Sequence, residues 1–305
     1  MKNIYILEYF DFSEEQLERL NKLGNVKFFD KAEQKDIDEA IKNADVIMLD
    51  WIDPTNIINK LKKGSFVNLP FTGYGWISTI NEALNNGVII SNTPNYSTNA
   101  VAEHHLSLML SAAKHVVSCN EGLKSGNVPE TMNIEISNKT VGIIGFGHIG
   151  YRLFELLKGF NVEVLTATPN DVNVEGVKKV SLEELLTKSD FVCVTCKLNE
   201  TTKNMIGKNQ LNLLKPNAVL TATTNEVINL TDLNDALNQG KLFGVGLEEF
   251  MSLADVPMNL INNPKVVCTY HRAYNTKEAE INRLNLSIDN IEAYINGKPI
   301  NQIKG

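Results

Sequence analysis

Apolar positions in the first hundred residues form short runs separated by segments of helical spacing. Ile4 to Leu7 predicts a strand. Ser13-Glu14-Glu15-Gln16 reads as a capping box, opening a helix with Leu17 and Leu20 on one face. The pattern then predicts strands at Val26 to Phe29, Val46 to Leu49, Phe66 to Leu69 and Val88 to Ile90. Helical stretches at Ile37 to Ile41, Ile57 to Leu61 and Ile80 to Leu84 alternate with them. Strands alternating with helices over short connections imply a parallel sheet.

Ala100 to Val117 is densely apolar and reads as one helix leaving this module. Ser118 to Lys139 is polar, contains Gly122, Gly126 and Pro129, and reads as a linker or surface arm. A second α/β pattern begins at Thr140, with strands VGIIG, VEVLT, FVCVT, AVLTA, LFGVGL and VVCTY. Ser181 to Glu184 is a second capping box. Lys277 to Ile295 predicts a long amphipathic helix ended by Asn296-Gly297-Lys298-Pro299. Ile300 to Ile303 is expected to return as a strand on the first module. The chain would then cross between modules twice, dividing into residues 1–99 with 275–305, and 100–274. The expected fold class is α/β, with two Rossmann-like domains built on parallel sheets.

The length of 305 residues supports two cores. The net charge of −7 argues against nucleic-acid binding, which needs a basic surface. No apolar run approaches the 18 or so residues of a membrane span, and the start lacks a signal peptide's apolar core, so the expected location is cytoplasmic. Cys193-x-x-Cys196 lies on a strand pattern, where residues three apart face opposite ways, so a redox pair is not expected. His104-His105 has no accompanying acidic or thiol cluster, and no metal site is expected. Only four of the 29 basic residues are arginine, at 19, 152, 272 and 283.

Candidate chemistry concentrates at residues 141–150, VGIIGFGHIG. Gly145, Gly147 and Gly150 form G-x-G-x-x-G between a strand and a helix, the context in which this motif binds a dinucleotide pyrophosphate. Such folds place an acid about 20 residues on, to hold the ribose of NAD. Thr168 stands there instead. Its lack of charge permits the 2′-phosphate of NADP, yet no arginine follows to clasp it. Thr166, Thr168 and Lys197 are weaker candidates, and the cofactor is left as NADP or NAD.

The succession SNTPNYSTNAVAEHHLSLML, KTVGIIGFGHIG, LNLLKPNAVLTAT, GKLFGVGLEEF, NNPKVVCTYHRAYNT and NIEAYINGKPIN resembles the D-2-hydroxyacid dehydrogenase family, also called the formate/glycerate dehydrogenase-like group. The resemblance covers essentially the whole chain. It implies a cofactor domain inserted within a flavodoxin-like substrate domain. It also implies a homodimer, a small-molecule substrate, and hydride transfer between NAD(P)H and a 2-oxo acid. Family members use a His to move the proton, a Glu to tune that His and an Arg to hold the substrate. His271 matches the His, with Tyr270 where Pro is usual. The Arg is missing, because its slot falls on Thr224 or Asn225 and residues 153–271 contain no arginine. The Glu position falls on Leu253, with Asp255 or Glu249 as conceivable stand-ins. Arg272 is a conceivable replacement cation, and without the Glu the pKa of His271 should fall.

By the same resemblance Thr72, Gly73 and Tyr74 form the loop for the substrate carboxylate. His148, Ile149, Cys196, Ala222 and Thr223 would line the cofactor, and Glu248 would sit near the nicotinamide carboxamide. These readings imply a divergent oxidoreductase with an atypical substrate. The alternative they leave open is a non-catalytic NAD(P)-binding sensor or interaction protein.

Overall fold

The computed structural model describes residues 1–127, 130, 132–248, 250 and 257–304. The chain forms two compact units, Met1–Ser97 with Lys277–Gly305, and Thr98–Thr276. The second is thus an insertion in the first.

In the discontinuous unit, strands and helices alternate in the order β1 (Lys2–Ile6), α1 (Glu14–Leu23), β2 (Gly24–Phe28), α2 (Gln34–Asn43), β3 (Val46–Met48), β4 (Phe66–Leu69), α3 (Ile80–Asn85) and β5 (Ile89–Asn92). The strands are parallel in the order β2-β1-β3-β4-β5, as in flavodoxin-like sheets. Because side chains alternate across a strand, Tyr5, Ile47, Val67 and Ile90 fill the core on one face. Ile4, Ile6, Val46, Met48 and Phe66 fill the other, against Leu284, Ile288 and Ile291 of the final helix, Lys277–Ile295. The Ser13 box forms in full, with Ser13 Oγ accepting from the Gln16 N–H and Gln16 Oε1 from the Ser13 N–H.

Two expectations fail in this unit. Ile57 to Leu61 is not a helix but part of two short 3₁₀ turns, Pro54–Asn56 and Ile58–Lys60. Ile57, Ile58 and Leu61 still bury themselves, so the apolar spacing reported burial and not a full helical turn. The C-terminal run makes only a single antiparallel bridge, Ser91 to Gln302, with the Ile303 N–H donating to the Ile90 carbonyl at 2.8 Å.

The continuous unit runs α4 (Thr98–Ala113), α5 (Val116–Ser125), β6 (Thr140–Ile144), α6 (His148–Leu157), β7 (Glu163–Ala167), β8 (Val177–Lys179), α7 (Leu182–Lys188), β9 (Phe191–Val194), α8 (Lys208–Leu213), β10 (Ala218–Ala222), α9 (Leu230–Asn238), β11 (Leu242–Leu247), α10 (Met258–Ile261) and β12 (Val266–Cys268). Its parallel sheet has the order β12-β11-β10-β9-β6-β7-β8. The order reverses at β6, between β7 and β9, and ligands of open α/β sheets bind beside the carboxyl ends of strands at such a point. Strand β8 escaped the sequence pattern because it is short and two of its three residues are lysines. Lysines are a usual protection for a sheet edge.

The single helix expected over Ala100 to Val117 is broken at His115, whose backbone is left-handed at φ +50°. The His115 ring is buried 4.8 Å from the Phe243 ring, which fixes the break. Part of the expected linker is therefore α5. Helix α4 lies close on the sheet because Gly244 and Gly246 leave room, and a Cβ on either would come within 2.8 Å of Ala112 or Leu108. The Ser181 box forms only by half. Ser181 Oγ accepts from the Glu184 N–H, while the Glu184 carboxylate pairs with Lys188.

His105, on α4, is fully buried with Nε2 2.7 Å from Thr221 Oγ1, while Nδ1 has no partner among the described residues. Burial pushes its pKa down to about 3, the neighbouring His104 adding to the shift. The unfolded chain binds this proton more readily, so stability should fall as pH drops below about 6.5, by about 2 kcal/mol at pH 5. His105→Leu should flatten that part of the stability profile in denaturant titrations. An unchanged acid limb in the variant would reject the assignment.

Candidate active site

The glycine-rich turn joins β6 to α6 at the switch point. Gly145 has φ +88°, and a Cβ there would lie 2.6 Å from Cys196 Cα, so both conformation and space require glycine. A Cβ on Gly147 would meet nothing within 4 Å, leaving open space against the backbone. A Cβ on Gly150 would collide with the Gly145 carbonyl oxygen. Thr195 Oγ1 donates to that carbonyl at 2.6 Å and ties the turn to the end of β9. Helix α6 has Gly147 as its N-cap and no capping side chain, so its first N–H groups and the positive end of its dipole suit an anion. Tight turn, open cradle and uncapped helix together fit a dinucleotide pyrophosphate.

The other expected cofactor residues gather at the same edge of the sheet. His148 is exposed, Ile149 half-buried and Cys196 half-buried against Gly145. Thr223 is half-buried after β10, whereas the Ala222 side chain is fully buried. Thr168 is half-exposed after β7. Thr166 is corrected as a phosphate ligand, since it is fully buried and its hydroxyl donates to the Ile143 carbonyl at 2.8 Å. Cys193 is a core thiol beside Met109 Sδ at 3.4 Å, and burial raises its pKa to about 12.

His271 follows β12 with φ +32°, a strained conformation for a residue with a side chain. Glu248, 2% exposed just beyond β11, holds that turn. Its Oε1 accepts from the Ala273 N–H at 2.7 Å and from the Arg272 N–H. The His271 pKa is lowered chiefly by burial, with the Glu248 charge opposing and the Arg272 charge assisting. The expected direction thus holds, but desolvation is the first cause. The Arg272 side chain is exposed beside the Tyr270 ring. His104 Nε2 lies 2.9 Å from Thr269 Oγ1, and Glu248 acts on its charge as well.

The arginine slot resolves into two unlike residues. Asn225 is buried and its Oδ1 accepts from the Glu248 N–H at 3.2 Å, so this residue braces Glu248. Thr224 is half-exposed. Leu253, Glu249 and Asp255 lie outside the described residues. Residues missed by sequence reading include Thr195 and Lys179. The sequence marks Glu248 but not its hold on residues 272 and 273, which lie 24 and 25 positions further along the chain.

The Thr72-Gly73-Tyr74 loop belongs to the discontinuous unit and follows β4. Asn92 Nδ2 donates to the Thr72 carbonyl at 2.9 Å, and Thr72 Oγ1 donates to the Thr93 carbonyl at 3.1 Å. The backbone N–H groups of 72, 73 and 74 donate to nothing among the described residues. Among those residues no helix is long and apolar enough to cross a membrane.

The model of the D-isomer specific 2-hydroxyacid dehydrogenase NAD binding domain matches residues 106–273, which include the glycine-rich turn and His271. A glyoxylate reductase of Pyrococcus furiosus is 30% identical over 282 residues, covering 85% of this chain and 82% of the relative. A hydroxypyruvate reductase of Blautia hydrogenotrophica is 27% identical over 303 residues, covering 93% of each. Among solved structures, an acyclic imino acid reductase in complex with NADPH and D-Arg superposes with a TM-score of 0.86 at 28% identity, over the full length of both chains. By its fold, its glycine-rich turn and these matches, the chain belongs to the D-isomer specific 2-hydroxyacid dehydrogenase family and is an NAD(P)-dependent oxidoreductase.

Proposed function

We infer that this chain reduces the C=O or C=N group of an atypical 2-oxo or 2-imino acid, with His271 as the proton donor. NAD(P)H, when bound, supplies the hydride. The observation that carries this reading is the strained His271 turn, held by two bonds to buried Glu248 in the unit with the glycine-rich turn. Hydride addition builds negative charge on the acceptor atom, and a ring nitrogen of His271 delivers the proton that quenches it. Glu248 is a positioning residue: it fixes the two amides after His271, and its charge opposes the loss of the imidazolium proton. The unused N–H groups of Thr72, Gly73 and Tyr74 receive the substrate carboxylate.

The substrate is atypical because the family cation has no counterpart. A neutral Thr224 cannot hold a carboxylate as a guanidinium fork does. Arg272 offers a single exposed charge, suited to a substrate with a second anionic group. The protein acts as a homodimer. Reduced-cofactor oxidation tests this reading, measured over glyoxylate, hydroxypyruvate, larger 2-oxo acids and 2-imino acids. Turnover is expected to be slow on glyoxylate, faster on some larger acceptor, and faster below pH 7. Tight cofactor binding with no turnover on any acceptor would favour the non-catalytic alternative.

A further inference from the structure

Lys179 ends the edge strand β8, directly opposite Thr166 of β7. Its Nζ donates to the Asn170 carbonyl at 2.8 Å and to the Pro169 carbonyl at 3.4 Å. The same ammonium lies 3.7 Å from the fully exposed carboxylate of Asp171. A cation is therefore held over the turn that follows β7. In a dinucleotide-binding unit that turn meets the adenosine ribose. The residue that would bond both ribose hydroxyls as a carboxylate is Thr168, whose half-exposed hydroxyl makes no hydrogen bond among the described residues.

We propose that Thr168 and Lys179 form a site for a ribose 2′-phosphate, making NADP(H) the preferred dinucleotide of this chain. The inference rests on the assignment of the glycine-rich turn as the pyrophosphate site. An ammonium has three N–H donors. Two are taken by the carbonyls of 169 and 170, which aim the group and leave the third for a phosphate oxygen. Asp171 is the competing anion, but it is a single charge on an exposed side chain, and a 2′-phosphate brings close to two. Thr168 adds a neutral donor where an acid would repel the phosphate. This cation arrives not directly after β7 but on the next strand, eleven positions after Thr168.

Equilibrium binding of adenosine 2′,5′-bisphosphate and 5′-AMP tests the site without nicotinamide or turnover. Wild type is expected to prefer the bisphosphate by about 10- to 100-fold, the range for one hydrogen bond to a charged group. Lys179→Met should remove the preference, Lys179→Arg should keep it, and both should bind 5′-AMP as wild type does. Thr168→Asp should reverse it in favour of 5′-AMP. Equal binding of the two nucleotides by wild type, or an intact preference in Lys179→Met, would overturn the proposal while leaving the cofactor site in place. Failure of wild type to bind either nucleotide, or NADPH, would reject that site as well.

Discussion

His271→Ala lowers kcat by about 10²- to 10⁴-fold and leaves NADPH affinity unchanged, if the imidazole is the proton donor. The expectation follows from position and environment together. The ring is held by a backbone turn with φ +32°, and hydrogen bonds from the Arg272 and Ala273 N–H groups to the Glu248 carboxylate restrain that turn. Burial keeps the ring largely neutral near pH 7, since its pKa lies below the ordinary value. Proton donation needs the imidazolium, so reduction should quicken as pH falls towards that lowered pKa, while the reverse oxidation should be fastest above it. His271→Ala should abolish this dependence as well as the rate. Steady-state rates across pH, with cofactor binding measured in parallel, decide the matter. A variant with wild-type kcat and the same pH profile would remove His271 from the chemistry.

Thr224→Arg raises kcat/KM for glyoxylate by about 10²- to 10³-fold, because it returns a charged donor to the slot where the family keeps one. A change of that size corresponds to about 2.7–4 kcal/mol of transition-state stabilisation. The neighbouring substitution is the control. Asn225→Arg would bury a guanidinium behind Glu248, in place of the amide that accepts from the Glu248 N–H. An uncompensated buried charge costs about 3–5 kcal/mol, so this variant should lose stability and gain no activity. Denaturant titration and glyoxylate kinetics on both variants separate the two outcomes. If Thr224→Arg binds cofactor normally yet stays as slow as wild type on glyoxylate, the slot has been placed wrongly.

Most elements are legible in the sequence pattern and some are not, and the reasons differ from place to place. Ile4, Ile6 and Met48 are buried on one face of the parallel sheet and Tyr5, Leu7 and Ile47 on the other, so their runs read as strands without help from context. Strand β8 did not, because an edge strand of Val-Lys-Lys has almost no apolar signal. The break at His115 was invisible because its cause is a contact with Phe243, on a distant strand. At the candidate site the glycine spacing announced itself, since each glycine meets a local steric demand. The hold of Glu248 on residues 272 and 273, the burial of Asn225 and the reach of Lys179 all depend on strand neighbours that one sequence does not display.

The insertion of one unit within the other also sets an order of events during synthesis. Residues 98–276 form a continuous segment with a complete sheet and can close their core before the last helix leaves the ribosome. The first unit cannot. Until residues 284–291 emerge, the face made by Ile4, Ile6, Val46, Met48 and Phe66 is covered only in part, by Leu20 and Leu23 of α1. Asn68 must also wait for its hydrogen bond from Asn290, 222 positions later. The module made first is therefore the module finished last, and its partly bare apolar face is the part of the nascent chain most exposed to aggregation or chaperone capture.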